Sequence, residues 1–292
     1  MYFSVHIKRT FLAVCAAAAV LGAVCIAYYR APTASAAGQA EKSAESVKLP
    51  VIMYHSMLKE QKRLGKYVIS PETFESDLQY LKQKGYQTVT VRDLADYVNS
   101  EKILPPKPVL LTFDDGYYNN YLYAFPLAKK YGMKFVVAPV GYYIDSVPQE
   151  DMDHANYSYL TWPEIKEMMA SGLVEFQNHS YNLHETKGRI GAKKKRGETT
   201  KAYAAILQKD VRKMQDRMKE MTGYTPIAFI YPFGAVSKES DPIIRQMDFQ
   251  ATFLCTEKIN VITHDPACLY SLGRFLRPSG ISSAAYFEKM GL

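Results

Sequence analysis

The chain has 292 residues, of which 48% are hydrophobic and 22% charged. This composition is typical of a globular protein and excludes disorder for most of the chain. The formal net charge is +7, which favours contact with anionic surfaces. Much of the excess falls in a glycine-interrupted basic run at residues 187–196. Such a run is typical of a solvated loop, with binding of an anionic polymer as the alternative.

An uncharged, mainly apolar segment at residues 10–29 predicts a membrane helix. At about 1.5 Å per residue, its length crosses a hydrocarbon layer of about 30 Å. The apolar cores of signal peptides span only about 7 to 15 residues, so an uncleaved signal anchor is favoured, with residues 1–9 on the cytoplasmic side. Cleavage after Ala36, and hence secretion, is the alternative. In both cases the rest of the chain lies outside the cytoplasm, where nucleic acid is not an expected partner.

Residues 30–48 are rich in Ala, Ser, Gly and Lys and lack apolar periodicity, which is typical of a flexible linker. A single folded domain is predicted at residues 49–292. Cys255 and Cys268 fall in this exported domain, where a disulfide is allowed but not implied. We expect both cysteines to be structural or free rather than catalytic.

Within this domain, short apolar runs alternate with helical patterns. Ser70 and Pro71 are typical of a helix start and Gly85 of a helix end, while Thr161 and Glu164 have the spacing of a capping box. Buried strands are predicted at 109–113, 135–138, 173–177, 227–231 and 251–254. Further helices are predicted near 121–131, 162–171, 199–221 and 239–247. The alternation predicts an α/β fold with a mostly parallel sheet, whose active site lies at the carboxyl ends of the strands.

Two consecutive carboxylates, Asp114 and Asp115, end the most hydrophobic of these strands. Adjacent residues of a regular strand point to opposite faces, so both reach one pocket only where the strand breaks into a turn, which Gly116 permits. Two ionised carboxylates also repel each other unless a cation lies between them or one is protonated. The alternative for Asp-Asp-Gly alone is a plain surface turn.

Two of the six histidines, His179 and His184, follow the strand predicted at 173–177. On a helix they would be about 140° apart, so joint binding of one ion needs an irregular loop that folds back. With one Asp they provide two imidazoles and a carboxylate, which suits zinc and leaves a position open for water. A single such histidine would instead be typical of a hydrogen-bonded structural residue.

A third strand end lies at residues 229–234, Phe-Ile-Tyr-Pro-Phe-Gly, for which a plain Pro-Gly strand exit is the alternative. Together with Thr-Phe-Asp-Asp-Gly at 112–116 and His-Ser-Tyr-Asn-Leu-His at 179–184, it resembles the polysaccharide deacetylase family, also called the NodB-homology or carbohydrate esterase family 4 fold. The resemblance covers about residues 107–275. It implies an irregular (β/α) barrel of the NodB-homology type, formed by a single domain.

The resemblance also implies roles for individual residues. Asp115, His179 and His184 would bind a divalent metal, with Zn2+ expected and Co2+ or Ni2+ accepted by the same ligands. Asp114 would be the general base. The backbone N–H of Phe233 would stabilise the negative charge that develops on the carbonyl oxygen.

Residues 49–55 look like the start of the exopolysaccharide deacetylase branch of this family, in which a histidine near the start of the domain supplies the general acid. This resemblance makes His55 the candidate acid. A structural strand-end histidine is the alternative reading of His55, and His264 is the competing candidate acid.

The chain departs from the family pattern at two positions. Ile230 stands where many members carry an arginine that orients the base, and Phe233 stands where tyrosine is usual. Arg274 is the candidate to replace that arginine, with a surface or structural ion pair as the alternative.

The implied function is hydrolysis of N-acetyl groups from a cell-surface polysaccharide that contains N-acetylglucosamine. The alternatives are deacetylation of peptidoglycan, deacylation of acetylated xylan esters, and a catalytically silent module that binds wall glycans. The expected partners are the polysaccharide and, through residues 10–29, the membrane. The sequence does not predict an oligomeric state.

Overall fold

The computed structural model describes residues 46–146, 148 and 152–292, and Ser46–Leu292 forms one compact unit. The membrane segment predicted at residues 10–29 and the alternative cleavage after Ala36 lie outside the described residues. Within the described ranges, no helix is long and apolar enough to cross a membrane.

The secondary structure alternates between short strands and helices. The described strands are β1 (Val47–Leu49), β2 (Val51–Tyr54), β3 (Ser56–Met57), β4 (Val68–Ile69), β5 (Gln87–Thr88), β6 (Pro108–Asp115), β7 (Phe135–Pro139), β8 (Val174–Phe176), β9 (Ala228–Ile230), β10 (Ala251–Phe253), β11 (Asn260–Ile262) and β12 (Phe275–Leu276). The described α-helices are α1 (Pro71–Gln83), α2 (Val91–Val98), α3 (Phe125–Tyr131), α4 (Gly141–Asp145), α5 (Trp162–Ala170), α6 (Thr200–Thr222), α7 (Ser240–Arg245) and α8 (Ser283–Lys289).

The strands close into an irregular barrel. β12, β2, β6, β7 and β8 lie side by side in a parallel sheet, with β5 beside the start of β6. β9 and β10 form a second parallel pair. Single bridges join this pair to the larger sheet, between Asn178 and Phe229 on one side and between Phe253 and Leu272 on the other. The mostly parallel α/β fold expected from the sequence is therefore confirmed.

β6 runs through the centre of the sheet and is buried along its whole length, which explains its continuous apolar sequence. Leu110 packs inside the barrel with Val136. Phe113 points outward, and its ring centroid lies 5.3 Å from that of Phe74 on α1. Because side chains alternate along a strand, Asp114 follows Leu110 on the inward face.

Several local predictions are confirmed. α1 begins after Ser70, whose Oγ accepts a hydrogen bond from Thr73 N at 3.1 Å, and has Pro71 at its first position. α5 begins with the predicted capping box, in which Thr161 N donates to Glu164 Oε2 at 2.7 Å. The helix predicted near 121–131 differs, because a π-helical turn at Asn120–Ala124 precedes α3.

Candidate active site

A cavity of about 480 Å³ opens at the carboxyl ends of the barrel strands. Its walls include most of the residues singled out in the sequence, namely His55, Asp114, Asp115, His179, His184 and Phe233. A second cavity, of about 520 Å³, lies beside Tyr86, Lys102 and Lys134 and contains none of them. The side chains with candidate chemical roles therefore meet in the first cavity.

β6 breaks into a turn at Asp115 and Gly116, as the sequence predicted. Asp115 has a φ of 69° and Gly116 a φ of 77°, so the chain leaves the extended conformation and both carboxylates face the cavity. A Cβ atom at Gly116 would lie 2.6 Å from the Cβ of Pro139, which leaves no room for a side chain. Glycine is thus required at this turn by conformation and by space.

Arg274 reaches Asp114 from just before β12. Its Nη1 and Nη2 donate to Asp114 Oδ1 and Oδ2 at 2.6 and 2.8 Å, and its Nε donates to Leu254 O at 3.0 Å. Burial alone would raise the pKa of Asp114, but the charge of Arg274 and its hydrogen bonds hold that pKa well below its ordinary value. Asp114 is therefore ionised at neutral pH.

Asp115, His179 and His184 form a cluster suited to a metal. Asp115 Oδ1 lies 3.0 Å from His184 Nε2 and 3.7 Å from His179 Nε2, and one ligand atom from each residue lies within 4.8 Å of the other two. Although His184 is close, no hydrogen bond of regular geometry reaches the buried Asp115 Oδ1. A buried anionic oxygen beside two imidazole nitrogens fits a divalent cation.

The two histidines differ in their surroundings. His179 Nδ1 lies 2.8 Å from Ile230 O, which fixes the tautomer with a proton on Nδ1 and leaves the lone pair of Nε2 towards Asp115. Burial lowers the pKa of His179 to about 4, so this imidazole is neutral at neutral pH. Burial also opposes charge on His184, but contact with Asp115 outweighs it and raises the pKa of His184.

The loop between the two histidines folds back as the spacing predicted. Ser180 has a φ of 70°, and its N–H donates to Asn178 Oδ1 at 2.8 Å. The next two amides, of Tyr181 and Asn182, donate to the carboxylate of Asp210 on α6 at 2.8 and 2.9 Å. Asp210 thus anchors the loop that carries both histidines, a role that no local pattern in the sequence predicted.

The turn after β9 brings Phe233 to the rim of the cavity. Phe233 has a φ of 59°, and its ring centroid lies 4.4 Å from that of His184. A Cβ atom at Gly234 would lie 2.8 Å from Cys255 N, so glycine is needed here as well. Ile230, which stands where many members of the family have arginine, contributes its carbonyl oxygen to His179 and packs its side chain in the barrel.

His55 follows β2, and its Nε2 lies 3.9 Å from Asp114 Oδ2. The rings of His55 and Tyr67 pack edge to face at a centroid distance of 4.9 Å. The competing histidine, His264, is not among the residues that line this cavity. It stacks on Tyr97 at 4.6 Å, and its Nδ1 lies 2.9 Å from Tyr97 O.

Cys255 lines this cavity, whereas Cys268 and the basic run at residues 187–196 are not among its lining residues. Cys255 and Cys268 are both free. In the basic run, Arg189 pairs with Glu198 at 2.6 Å and Lys194 with Glu239 at 2.8 Å. Part of the run is therefore fixed by ion pairs rather than wholly solvated.

Comparison with known proteins assigns the chain to one family. The polysaccharide deacetylase model matches residues 101–252, just over half of the chain, and the chain belongs to that family. The chain is 26% identical over 193 residues to a poly-beta-1,6-N-acetyl-D-glucosamine N-deacetylase of Escherichia coli O157:H7, covering 60% of this chain and 29% of that protein. It is 27% identical over 197 residues to the protein of the same name from Staphylococcus aureus strain MSSA476, covering 68% of this chain and 64% of that protein.

A solved de-N-acetylase from Aggregatibacter actinomycetemcomitans has the same fold. The TM-score is 0.69 at 26% identity, and the match covers 82% of this chain and 99% of the other. The family resemblance seen in the sequence is thus confirmed, together with the NodB-type fold. The chain spans less than two thirds of the length of the two curated relatives it matches.

Proposed function

We propose that this protein hydrolyses N-acetyl groups of a polysaccharide that contains N-acetylglucosamine. The observation that carries the proposal is the meeting of three groups in one cavity. These are the Asp115, His179 and His184 cluster, the ionised Asp114, and His55 at 3.9 Å from Asp114. They match the ligands, base and acid that hydrolysis of an unactivated amide requires.

Arg274 supports an active enzyme over a silent glycan-binding module. With Ile230 at the position where many members of the family have an arginine, Asp114 needs another residue to orient it. Arg274 makes two hydrogen bonds to Asp114 from a different part of the chain, and it is fully buried. Such a bidentate pair fixes both the orientation and the charge of the carboxylate.

Asp115, His179 and His184 would hold the metal, for which we propose Zn2+, with Co2+ or Ni2+ as substitutes. A cation there would polarise the acetamide carbonyl and favour ionisation of the attacking water. Because the Nδ1 of His179 carries the proton that faces Ile230 O, His179 would bind the metal through Nε2.

The remaining residues supply proton transfer and charge stabilisation. Asp114 would take a proton from the attacking water as its oxygen bonds to the carbonyl carbon. The N–H of Phe233 would donate to the carbonyl oxygen as negative charge builds there, and one such donor is worth about 3 kcal/mol. His55, in its protonated form, would give a proton to the nitrogen as the C–N bond breaks. The products are acetate and a free amine on the sugar.

The substrate proposal draws on the relatives, which are named for deacetylation of poly-beta-1,6-N-acetyl-D-glucosamine. We infer that the domain acts outside the cytoplasm on such a glycan, attached to the membrane through residues 10–29. Peptidoglycan is the alternative substrate, because it carries the same N-acetyl group.

The test is acetate release by the full chain from an N-acetylglucosamine oligomer and from peptidoglycan, with and without chelator. We expect release from the oligomer, loss with chelator and recovery with added zinc.

His179→Ala should lose both bound metal, measured by elemental analysis, and activity. Metal content should also fall as the pH falls through the raised pKa of His184, because a protonated imidazole cannot bind a cation. No metal-dependent acetate from either substrate would contradict the proposal.

A further inference from the structure

The candidate acid His55 lies where the chain leaves β2 and turns into β3. Two consecutive asparagines, Asn119 and Asn120, hold this turn, and both are 0% exposed. Asn120 Nδ2 donates to His55 O at 2.8 Å. Asn119 accepts from Met57 N at 2.9 Å and donates to Ser56 Oγ at 2.9 Å. Three consecutive residues beginning with His55 are therefore fixed by one buried amide pair.

The His55 ring itself has little else to fix it. Its Nδ1 is buried, and no group of the described residues hydrogen-bonds to it. Its Nε2 is 3.9 Å from Asp114 Oδ2, beyond hydrogen-bond distance. The one ring contact described for this imidazole is with Tyr67, at a centroid distance of 4.9 Å. The position of the imidazole therefore depends on the backbone that Asn119 and Asn120 hold.

The asparagine pair is also tied to the base and the metal-ligand cluster. Asn119 and Asn120 follow the turn at Asp114, Asp115 and Gly116 by only a few residues. Asn120 begins the π-helical turn Asn120–Ala124, a type of turn that is frequent at functional sites. One short segment thus carries the base and a ligand, and holds the acid by hydrogen bonds.

We propose that Asn120, supported by Asn119, is a positioning residue that sets the place of His55 relative to Asp114. This inference rests on the proposed function, because it concerns the acid of that reaction. Proton transfer in the transition state needs the acid within reach of the departing nitrogen. A displacement of about 1 Å can lower a rate by about 100-fold.

The test is a double-mutant cycle on acetate release, with His55→Ala, Asn120→Ala and the double variant of the full chain. Asn120→Ala alone should lower kcat by about 10- to 100-fold, with metal content unchanged. In the His55→Ala background the same change should have less than about a twofold effect, because the group that Asn120 positions is already gone. A merely structural asparagine would lower both backgrounds by the same factor.

Two further variants serve as controls, one for the loss of side-chain volume and one for a loss of stability outside the site. Asn120→Leu keeps most of the side-chain volume without a donor, so it should reproduce Asn120→Ala if the hydrogen bond, not a cavity, matters. Thr90→Ala removes a cap of α2, where Thr90 Oγ1 accepts from Asp93 N at 3.2 Å outside the cavity, and should leave kcat unchanged.

Three results would overturn the inference. They are equal losses in both backgrounds, no loss in Asn120→Ala, or failure of both Asn120 variants to fold, since the role assigned is local. Absence of acetate from the wild-type chain would instead contradict the proposed function, and it would be seen before any variant is compared.

Discussion

Two buried arginines near the end of the chain form similar ion pairs in different places. Arg274 binds Asp114 with two hydrogen bonds, of 2.6 and 2.8 Å. Arg277 binds Asp77 on α1, with Nε 2.9 Å from Oδ2 and Nη2 3.0 Å from Oδ1. Both arginines are at most 1% exposed. Burial and a paired carboxylate therefore do not distinguish a catalytic pair from one that holds the core.

The neighbours of the two pairs make the difference. Asp114 lines the cavity, and the charge of Arg274 and its hydrogen bonds hold the pKa of Asp114 below the ordinary value of 3.8. Asp77 lies in the core, where burial outweighs Arg277 and raises its pKa above 3.8. Asp114 therefore adds stability above about pH 3.8 that is lost as the pH falls. Asp77 adds stability below that pH that is lost as the pH rises through its folded pKa.

The largest expected difference between the pairs is in catalysis. Asp114→Asn should lower acetate release by about 100- to 10,000-fold, because the proposed general base is lost while the proposed metal ligands remain. Elemental analysis should find unchanged metal content. Asp77→Asn is the matched control, and its folded fraction should keep the wild-type rate. Full turnover by Asp114→Asn, or an equal loss in both variants, would refute the distinction.

The next difference is in pH dependence. Arg274→Gln leaves Asp114 buried without its cation, so its pKa should rise and the acid limb of the pH–rate profile should move to higher pH. Arg277→Gln should leave that limb in place. Both variants should lose about 3 to 5 kcal/mol of unfolding free energy, measured by urea denaturation, because each leaves a buried carboxylate unpaired. A shifted limb in Arg277→Gln would contradict the separation of the two pairs.

The two pairs also differ in how well the sequence predicted them. The sequence predicted the carboxylates and histidines of the site because they follow apolar runs, and parallel strands bring such ends together. These residues are Asp114, Asp115, His179 and His184. The helices and the longer strands could also be predicted from the sequence, because their periodicity is local. Arg274 was singled out only because this chain has Ile230 where many members of the family have an arginine.

Other pairings could not be predicted from the sequence, because they join residues that are distant in the chain. Asp77 and Arg277 are 200 residues apart, and neither lies in a motif. Asn120, which we infer to position His55, follows the Asp-Asp-Gly motif but contacts a residue 65 positions earlier. β12 has only two residues, too few for a periodic signal, and its place beside β2 follows from closure of the barrel.

The smallest expected effect tests whether the core pair is independent of the site one residue away. Tyr54 OH donates to Asp77 Oδ2 at 3.0 Å, and the next residue is His55. Tyr54→Phe removes that hydrogen bond but keeps the ring that packs on Phe113 at 5.0 Å. We expect a loss of about 1 to 2 kcal/mol in urea denaturation and an unchanged kcat. A fall in kcat would mean that the core pair also sets the position of His55, and the two pairs would then act as one unit.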